Sequence, residues 1–397
     1  MRALALALAT AAACNSGSDP AGSDAGGSGG GDGGAAEDPD GGGGSTCAAT
    51  GWVADTVKSE DSVGWGSRVA LDDDGSVHIT YANATHSALE HAILPPGGAW
   101  VFETADEDAS NGVLEEVAQL VAGGTVHASY VGTDDEGEKR LKHAVRLGDD
   151  DWDTELVDLE RRVGTATAIA MDGAGVLHIA YRDDDDEVVR HAWWTGDGWD
   201  SELVDEGPWT GIYLNIAIDG DDTLHLAYYD STRSALRHAM RPAGGTWTAV
   251  TAAEEGNPGH RAALAVGADG SVHIASMAVA GGEDDLVYTH RAPGGEWTTV
   301  TVDAAGKAGY QSIALDGGGG VHIAYRDEAD GALEYAYRAP GGDEWQLEPV
   351  DEEGDVGLFP SIVVAADGVA TISYVDRSPD GGGFAEDLKV ARSAGCE

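Results

Sequence analysis

Thirteen histidines in 397 residues raise two chemistries at once, metal ligation and proton transfer near neutral pH. Their spacing narrows the choice. Six of them, His78, His127, His178, His225, His273 and His322, recur every 47 to 51 residues in stretches such as Gly320-Val321-His322-Ile323-Ala324-Tyr325, and Thr371 stands in a seventh copy. Four more, His91, His143, His191 and His238, recur at a second position, where two later copies carry Tyr288 and Tyr335. Tyrosine replaces histidine where a flat ring with a polar tip must pack and hydrogen-bond, but it is a poor substitute for an imidazole ligand or base. These ten are therefore expected to be hydrogen-bonding core groups, a repeated ligand site being the alternative. His290, two residues past the second position, shares that face. Only His86 and His260 remain off the pattern, so no catalytic residue and no metal ligand is assigned.

A different set of residues varies from copy to copy. Just ahead of the first apolar run of each unit stand Trp65 and Arg68; Glu115 and Glu116; Thr165 and Thr167; Trp209, Tyr213 and Asn215; His260 and Arg261; Lys307, Tyr310 and Gln311; and Phe359. Aromatic rings beside amide and charged groups suit a sugar or peptide ligand. The ligand-binding candidates are Trp65, Arg68, Trp209, Tyr213, Asn215, His260, Arg261, Tyr310 and Gln311. The plainer alternative is ordinary loop variation with aromatics plugging a channel. Acidic turns such as Asp72-Asp73-Asp74-Gly75, Asp183-Asp184-Asp185-Asp186 and Asp219-Gly220-Asp221-Asp222 present oxygen ligands, but none has the full calcium-loop spacing. Ca2+ is the single cofactor left open. The repeated Tyr-x-Asp ends, as in Tyr325-Arg326-Asp327, place an Asp where its side chain begins a turn.

The elements that must position these groups are short strands. In the sixth copy Ser312–Leu315, Val321–Tyr325, Leu333–Tyr337 and Trp345–Val350 are β-rich runs separated by Gly, Asp and Pro turns. Trp52, Trp100, Trp152, Trp199, Trp247, Trp297 and Trp345 mark the outermost strand seven times, where a large ring fills the widening space between units. Four strands in a unit of about fifty residues define a β-propeller blade. The sequence thus predicts an all-β, seven-bladed β-propeller over 47–397 with four antiparallel strands per blade. The seventh copy lacks its outer strand, which Gly51–Val57 supplies, so the N-terminal strand closes the last blade. Cys47 and Cys396 flank that junction and are expected to form a disulfide.

Charge and the N-terminal segment address the chain. With 71 acidic and 22 basic residues, net −49, it is no nucleic-acid binder, because phosphate contacts need clustered Lys and Arg. Ala3–Ala13 is a short apolar run after Met1-Arg2, too short to span a bilayer and suited to a signal peptide over 1–13. Ala11-Ala12-Ala13-Cys14 resembles the lipobox of bacterial lipoproteins, which implies lipidation of Cys14 and a membrane-anchored place in the bacterial cell envelope, facing periplasm or cell surface. Residues 15–46, almost all Gly, Ser, Ala, Asp and Pro, cannot bury enough apolar surface to fold and read as a tether.

The repeat resembles those of sialidase-like bacterial propellers and, more loosely, of seven-bladed bacterial lectins. Sialidases carry Ser-x-Asp-x-Gly-x-x-Trp boxes, whereas the corresponding turns here read Pro293-Gly294-Gly295-Glu296-Trp297 or Gly196-Asp197-Gly198-Trp199. In such propellers the loops before strand one and after strand two share one rim of the channel. The lectin resemblance implies shallow sugar sites. Some seven-bladed propellers are polysaccharide lyases using His, Tyr and Arg, a chemistry open to His260, Arg261 and Tyr213 if they converge. The expected function is a monomeric recognition module for carbohydrate or an envelope or extracellular protein. An extracellular polysaccharide-active enzyme and a purely structural envelope component are the alternatives.

Overall fold

The computed structural model describes residues 48–107, 109, 117–279, 284–305, 307–380, 383–384 and 386–394. Cys14, Cys47, Cys396, Glu115 and Glu116, together with the proposed signal peptide and tether, lie outside the described residues.

Seven four-stranded antiparallel sheets follow one another along the chain. Blade 1 comprises Val63–Leu71, Val77–Asn83, Ala88–Leu94 and Val101–Asp106; blade 2, Val117–Ala122, Thr125–Thr133, Lys139–Gly148 and Asp151–Leu156; blade 3, Val163–Met171, Leu177–Asp183, Val188–Trp194 and Trp199–Asp205. Blade 4 is Ile212–Ile218, Leu224–Asp230, Ala235–Arg241 and Thr248–Ala253; blade 5, His260–Val266, Val272–Ala278, Asp285–Arg291 and Thr298–Asp303; blade 6, Ala308–Leu315, Val321–Asp327, Ala332–Arg338 and Gln346–Asp351. Blade 7 takes Leu358–Val364, Ala370–Asp376 and Asp387–Arg392 from the C-terminal end and its fourth strand, Val53–Lys58, from the N-terminal end. Inside blade 7 a two-residue hairpin pairs Pro379–Asp380 with Gly383–Phe384. No helix occurs among the described residues.

The ring closes as the repeat phase requires. Val53 pairs with Arg392 and Thr56 with Lys389, and the Ala394 amide donates to the Thr50 carbonyl at 2.9 Å. The first strand of blade 1 packs beside that of blade 7, leaving no open seam among the described strands. A separate apolar cluster fills each junction between neighbouring blades, so each blade buries its faces only against its two neighbours.

Second strands such as Leu177–Asp183 and Leu224–Asp230 are buried at every position. Continuous burial explains why they read as unbroken Val/Ile/Leu/Ala/Tyr runs rather than as alternating ones. The histidines sit there as hydrogen-bonding links between strands two and three. His78 Nδ1 lies 3.0 Å from His91 Nε2, and His178 and His225 make the same contact with His191 and His238 at 2.9 and 3.0 Å. In blades 5 and 6 the partner is a tyrosine hydroxyl, Tyr288 to His273 at 2.5 Å and Tyr335 to His322 at 2.7 Å. The recurring tryptophans pack edge-on against the strand-three ring of the preceding blade, as Trp152 does on His91 at 5.3 Å and Trp345 on Tyr288 at 5.1 Å. Both repeated sets are packing groups.

Candidate functional site

The first strand of each blade runs along the channel, and most of these strands share one irregularity. Register slips between Ile212 and Asn215, His260 and Ala263, Ala308 and Gln311, and Leu358 and Ser361. Tyr213, Arg261 and Phe359 sit inside these bulges with left-handed backbones, φ 55°, 53° and 50°. A bulge adds one residue and re-aims the side chains around it. It depends on the glycine two residues earlier. At Gly259 (φ 105°) and Gly357 (φ 85°) an added Cβ would sit 3.0 Å from the Cα of Leu236 and of Leu333 in the preceding blade.

Counted from the strand-one/strand-two register, the bulge position is Gly66 in blade 1 and Ala166, Tyr213, Arg261, Tyr310 and Phe359 in blades 3 to 7. In the same register, the position two residues on is Arg68, Ala118, Ala168, Asn215, Ala263, Ser312 and Ser361 in blades 1 to 7. Five of these seven are Ala or Ser, which leaves room on the axis. Large polar and aromatic groups from blades 1 and 4 to 7 thus share the lining with small residues such as Ala118, Ala168 and Ser312.

The result is a cavity of about 180 Å3 lined by Arg68, Tyr213, Asn215, Arg261, Tyr310, Gln311 and Phe359, with Thr167, Ser312 and small apolar residues completing the wall. The Arg261 guanidinium lies 3.4 Å from the centre of the Tyr310 ring, and Tyr310 packs against Phe359 at 4.2 Å. Arg68 Nη1 donates to the carbonyl of Ser67 at 3.0 Å. Amide side chains bind across blade junctions: Asn215 Nδ2 donates to the Ala262 carbonyl at 2.6 Å, and Gln311 Nε2 to the carbonyls of His260 at 3.0 Å and Arg261 at 2.5 Å. Two polar atoms of the lining residues are buried without a hydrogen-bond partner, Arg261 Nη1 and Gln311 Oε1. One is a donor and the other an acceptor. Orphaned buried groups of this kind are costly unless a ligand or solvent meets them.

The cavity thus gathers six of the nine candidates: Arg68, Tyr213, Asn215, Arg261, Tyr310 and Gln311. The other three stand elsewhere. Trp65 packs on Phe359 at 5.2 Å and donates its indole N–H to Glu386 at 2.9 Å. Trp209 is exposed on the loop before blade 4, at 52%. His260 packs on Tyr229 at 4.1 Å and approaches Tyr213 at 6.0 Å, outside the cavity lining. Burial pushes its imidazole below the usual range, with the Arg261 charge adding to that and Asp284 opposing it, and its Nε2 is buried without a partner. Lys307 points to solvent. The spacing of Arg68 did carry a signal for the missed wall residues, because Ser312 and the alanines share its phase.

Among the described residues no group of three His, Cys, Asp or Glu side chains is placed to hold a metal ion. The acidic turns instead bind their own backbone: Asp72 Oδ1 accepts from the amides of Asp74 and Ser76, and Asp219 Oδ1 from those of Asp221 and Thr223. The Asp of each Tyr-x-Asp end does the same, Asp183 Oδ1 accepting from Asp185 and Asp186.

Fold and axial cavity together define a seven-bladed β-propeller with a shaped polar-aromatic pocket at one end of its channel. No protein-family model matches this chain, and neither does any of the curated proteins compared with it. Solved propellers do. An ulvan lyase, described as a new family of polysaccharide lyase and bound to -[GlcA(1-4)Rha3S]-, superposes with a TM-score of 0.60 over 85% of this chain and 95% of its own, at 12% identity. The polysaccharide lyase Uly1 gives 0.55 over 83% and 89%, at 10% identity. A mutant of the Aleuria aurantia lectin in complex with Fucα1-6GlcNAc gives 0.50 over 75% and 98%, at 13% identity. At these identities the likeness is one of fold.

Proposed function

We propose that this protein is a lipid-anchored recognition module of the bacterial cell envelope that binds one sugar residue of a glycan in the axial cavity. The observation that carries the reading is the convergence of six side chains, different in each copy, from blades 1, 4, 5 and 6 on one pocket. At about 180 Å3 the cavity is a small site, suited to a single sugar residue rather than to a long oligosaccharide. Stacked aromatic faces beside amide and guanidinium donors are what a sugar ring needs on its apolar and hydroxyl sides. Solved β-propellers that act on or bind carbohydrate, the lectin among them described as six-bladed, support the reading. A glycan array probed with the purified full chain tests it. Binding is expected to be lost in Tyr310→Ala and kept in Trp209→Ala; an array silent for the folded chain, or a loss confined to Trp209→Ala, contradicts it.

The address rests on the apolar Ala3–Ala13 run and on Cys14. Labelling cells with a fatty-acid analogue is expected to mark the wild-type chain and not Cys14→Ser. A Cys47–Cys396 disulfide is part of the same reading. It is supported by the Ala394–Thr50 hydrogen bond, three residues after Cys47 and two before Cys396.

A second reading, polysaccharide lyase chemistry, is favoured by one contact, the approach of Tyr213 to His260 at 6.0 Å beside Arg261. A lyase removes the proton next to a carboxylate and breaks the glycosidic C–O bond at the adjacent carbon. The departing sugar leaves as its hydroxyl, and an unsaturated sugar remains. Ultraviolet absorbance of that product, lost in Tyr213→Phe, would distinguish turnover from binding alone.

A further inference from the structure

The chain carries 71 acidic residues against 22 basic ones, yet none of the described residues lining the axial cavity is acidic, and two are arginines. Several arginines elsewhere sit on carboxylates: Arg146 on Glu103 at 2.7 Å, Arg241 on Glu202 at 2.6 Å, Arg162 on Asp185 at 2.9 Å. Arg261 does not. It lies flat on Tyr310, and its Nη1 is buried without a partner. Stacking fixes the plane of the guanidinium, so its N–H fork is held ready before a ligand arrives. Gln311 Oε1, also buried and unpartnered, offers an acceptor in the same cavity.

We infer that the sugar taken by this cavity is acidic: its carboxylate or sulfate pairs with the Arg261 guanidinium, with Arg68 supplying a second positive charge, while a neighbouring hydroxyl donates to Gln311 Oε1. The inference rests on the carbohydrate reading above and specifies its ligand. A planar fork matches the two oxygens of a carboxylate or sulfate. A neutral sugar leaves that fork without an anion. The net negative charge of the chain opposes the approach of anions in general, so an acidic ligand is favoured only where a positive group such as Arg261 meets it directly.

Titration calorimetry on the full chain separates the possibilities. The probes are an oligogalacturonate with its methyl ester, and a sulfated galactan oligosaccharide with its desulfated parent; the two pairs tell carboxylate from sulfate. At least one acidic probe is expected to bind about tenfold or more tightly than its neutral counterpart, the worth of one charge-assisted hydrogen bond. Arg261→Gln is expected to remove that advantage and Arg261→Lys to restore part of it; should Arg261→Gln fail to fold, Arg68→Gln is expected to reduce the same ratio. Equal binding of acidic and neutral members, lost in Tyr310→Ala, overturns the inference and leaves the carbohydrate reading standing. Absence of binding by all four overturns both.

Discussion

The Tyr374 hydroxyl donates to Asp351 Oδ2 at 2.6 Å, and Lys389 Nζ reaches the same oxygen at 2.6 Å. Tyr374 and Lys389 belong to blade 7 and Asp351 to the last strand of blade 6, so the triad ties one blade to the next. It recurs. Asp106, Tyr130 and Lys142 join blades 1 and 2, and Asp205, Tyr228 and Arg237 join blades 3 and 4. Between blades 7 and 1 the charges are exchanged: Lys58 stands in the Asp position and pairs with Glu90 at 2.7 Å.

Between blades 4 and 5 the triad is absent, Ala253 and Ser276 standing in the Asp and Tyr positions, and between blades 5 and 6 it is altered. Tyr325 binds Asp303 at 2.9 Å, but the cation position holds Glu334, opposite Tyr325 in register. Burial and the nearby Asp327, Glu352 and Asp303 push the Glu334 carboxyl up to about 7. Glu334→Lys is expected to stabilise the fold by about 1 kcal/mol at neutral pH, raising Tm by roughly 1–3 °C in a chain of this size. Differential scanning calorimetry checks it, and an unchanged or lower Tm counts against the triad as a stabilising unit.

The histidine links make stability depend on pH. Burial pushes His91 down to about 3 and His127, His191 and His273 down to about 4, against about 6.5 in the unfolded chain. Below pH 6.5 the unfolded chain takes up protons that the folded one refuses. The contribution is therefore complete above about 6.5 and lost as pH falls toward 4, up to roughly 3 kcal/mol for each of the four. Urea unfolding at pH 7.5 and pH 5 is expected to show a markedly lower midpoint at pH 5. His91→Tyr, which copies blades 5 and 6, is expected to fold and to reduce the difference. Equal midpoints at the two pH values contradict this.

Gly259→Ala is expected to cost about 2 kcal/mol, since φ 105° is strained for alanine and its Cβ would press on the Leu236 backbone. It is also expected to displace Arg261 and weaken saccharide binding. Gly148→Ala, with open space around the added Cβ and no left-handed φ, is the control and is expected to be neutral. Equal stabilities of the two variants contradict the role given to the bulge.

The proposed Cys47–Cys396 bond would close a loop of about 350 residues, worth roughly 5 to 6 kcal/mol at most in the chain-entropy account. Non-reducing peptide mass spectrometry is expected to recover the linked pair, and Cys396→Ser to lower Tm. Two free thiols in the native chain contradict it.

Blade count, strand order and ring closure were legible in the residues because every blade repeats the same packing problem, so Trp152, His178 and their counterparts must recur in phase. The triad carries a signal that the expectations drawn from sequence leave unused: Asp205, Asp303 and Asp351 recur six residues after Trp199, Trp297 and Trp345. The pocket was only half legible. A left-handed residue in strand one breaks the in-out alternation, so Arg261 enters the cavity while His260, its neighbour, turns aside. Trp65 and Trp209 drew notice as aromatics, yet one is wedged beneath Phe359 and the other stands on an outer loop. Nothing in residue type separates those fates; only the bulge does.

A crystal structure of the full chain soaked with the glycan it selects most strongly from an array addresses the central claim most directly. The sugar is expected in the axial cavity, one ring against Tyr213 and the Arg261–Tyr310 pair, with an oxygen on Arg261 Nη1. Density for the sugar between blades at the circumference, with the axial cavity holding solvent alone, would contradict it.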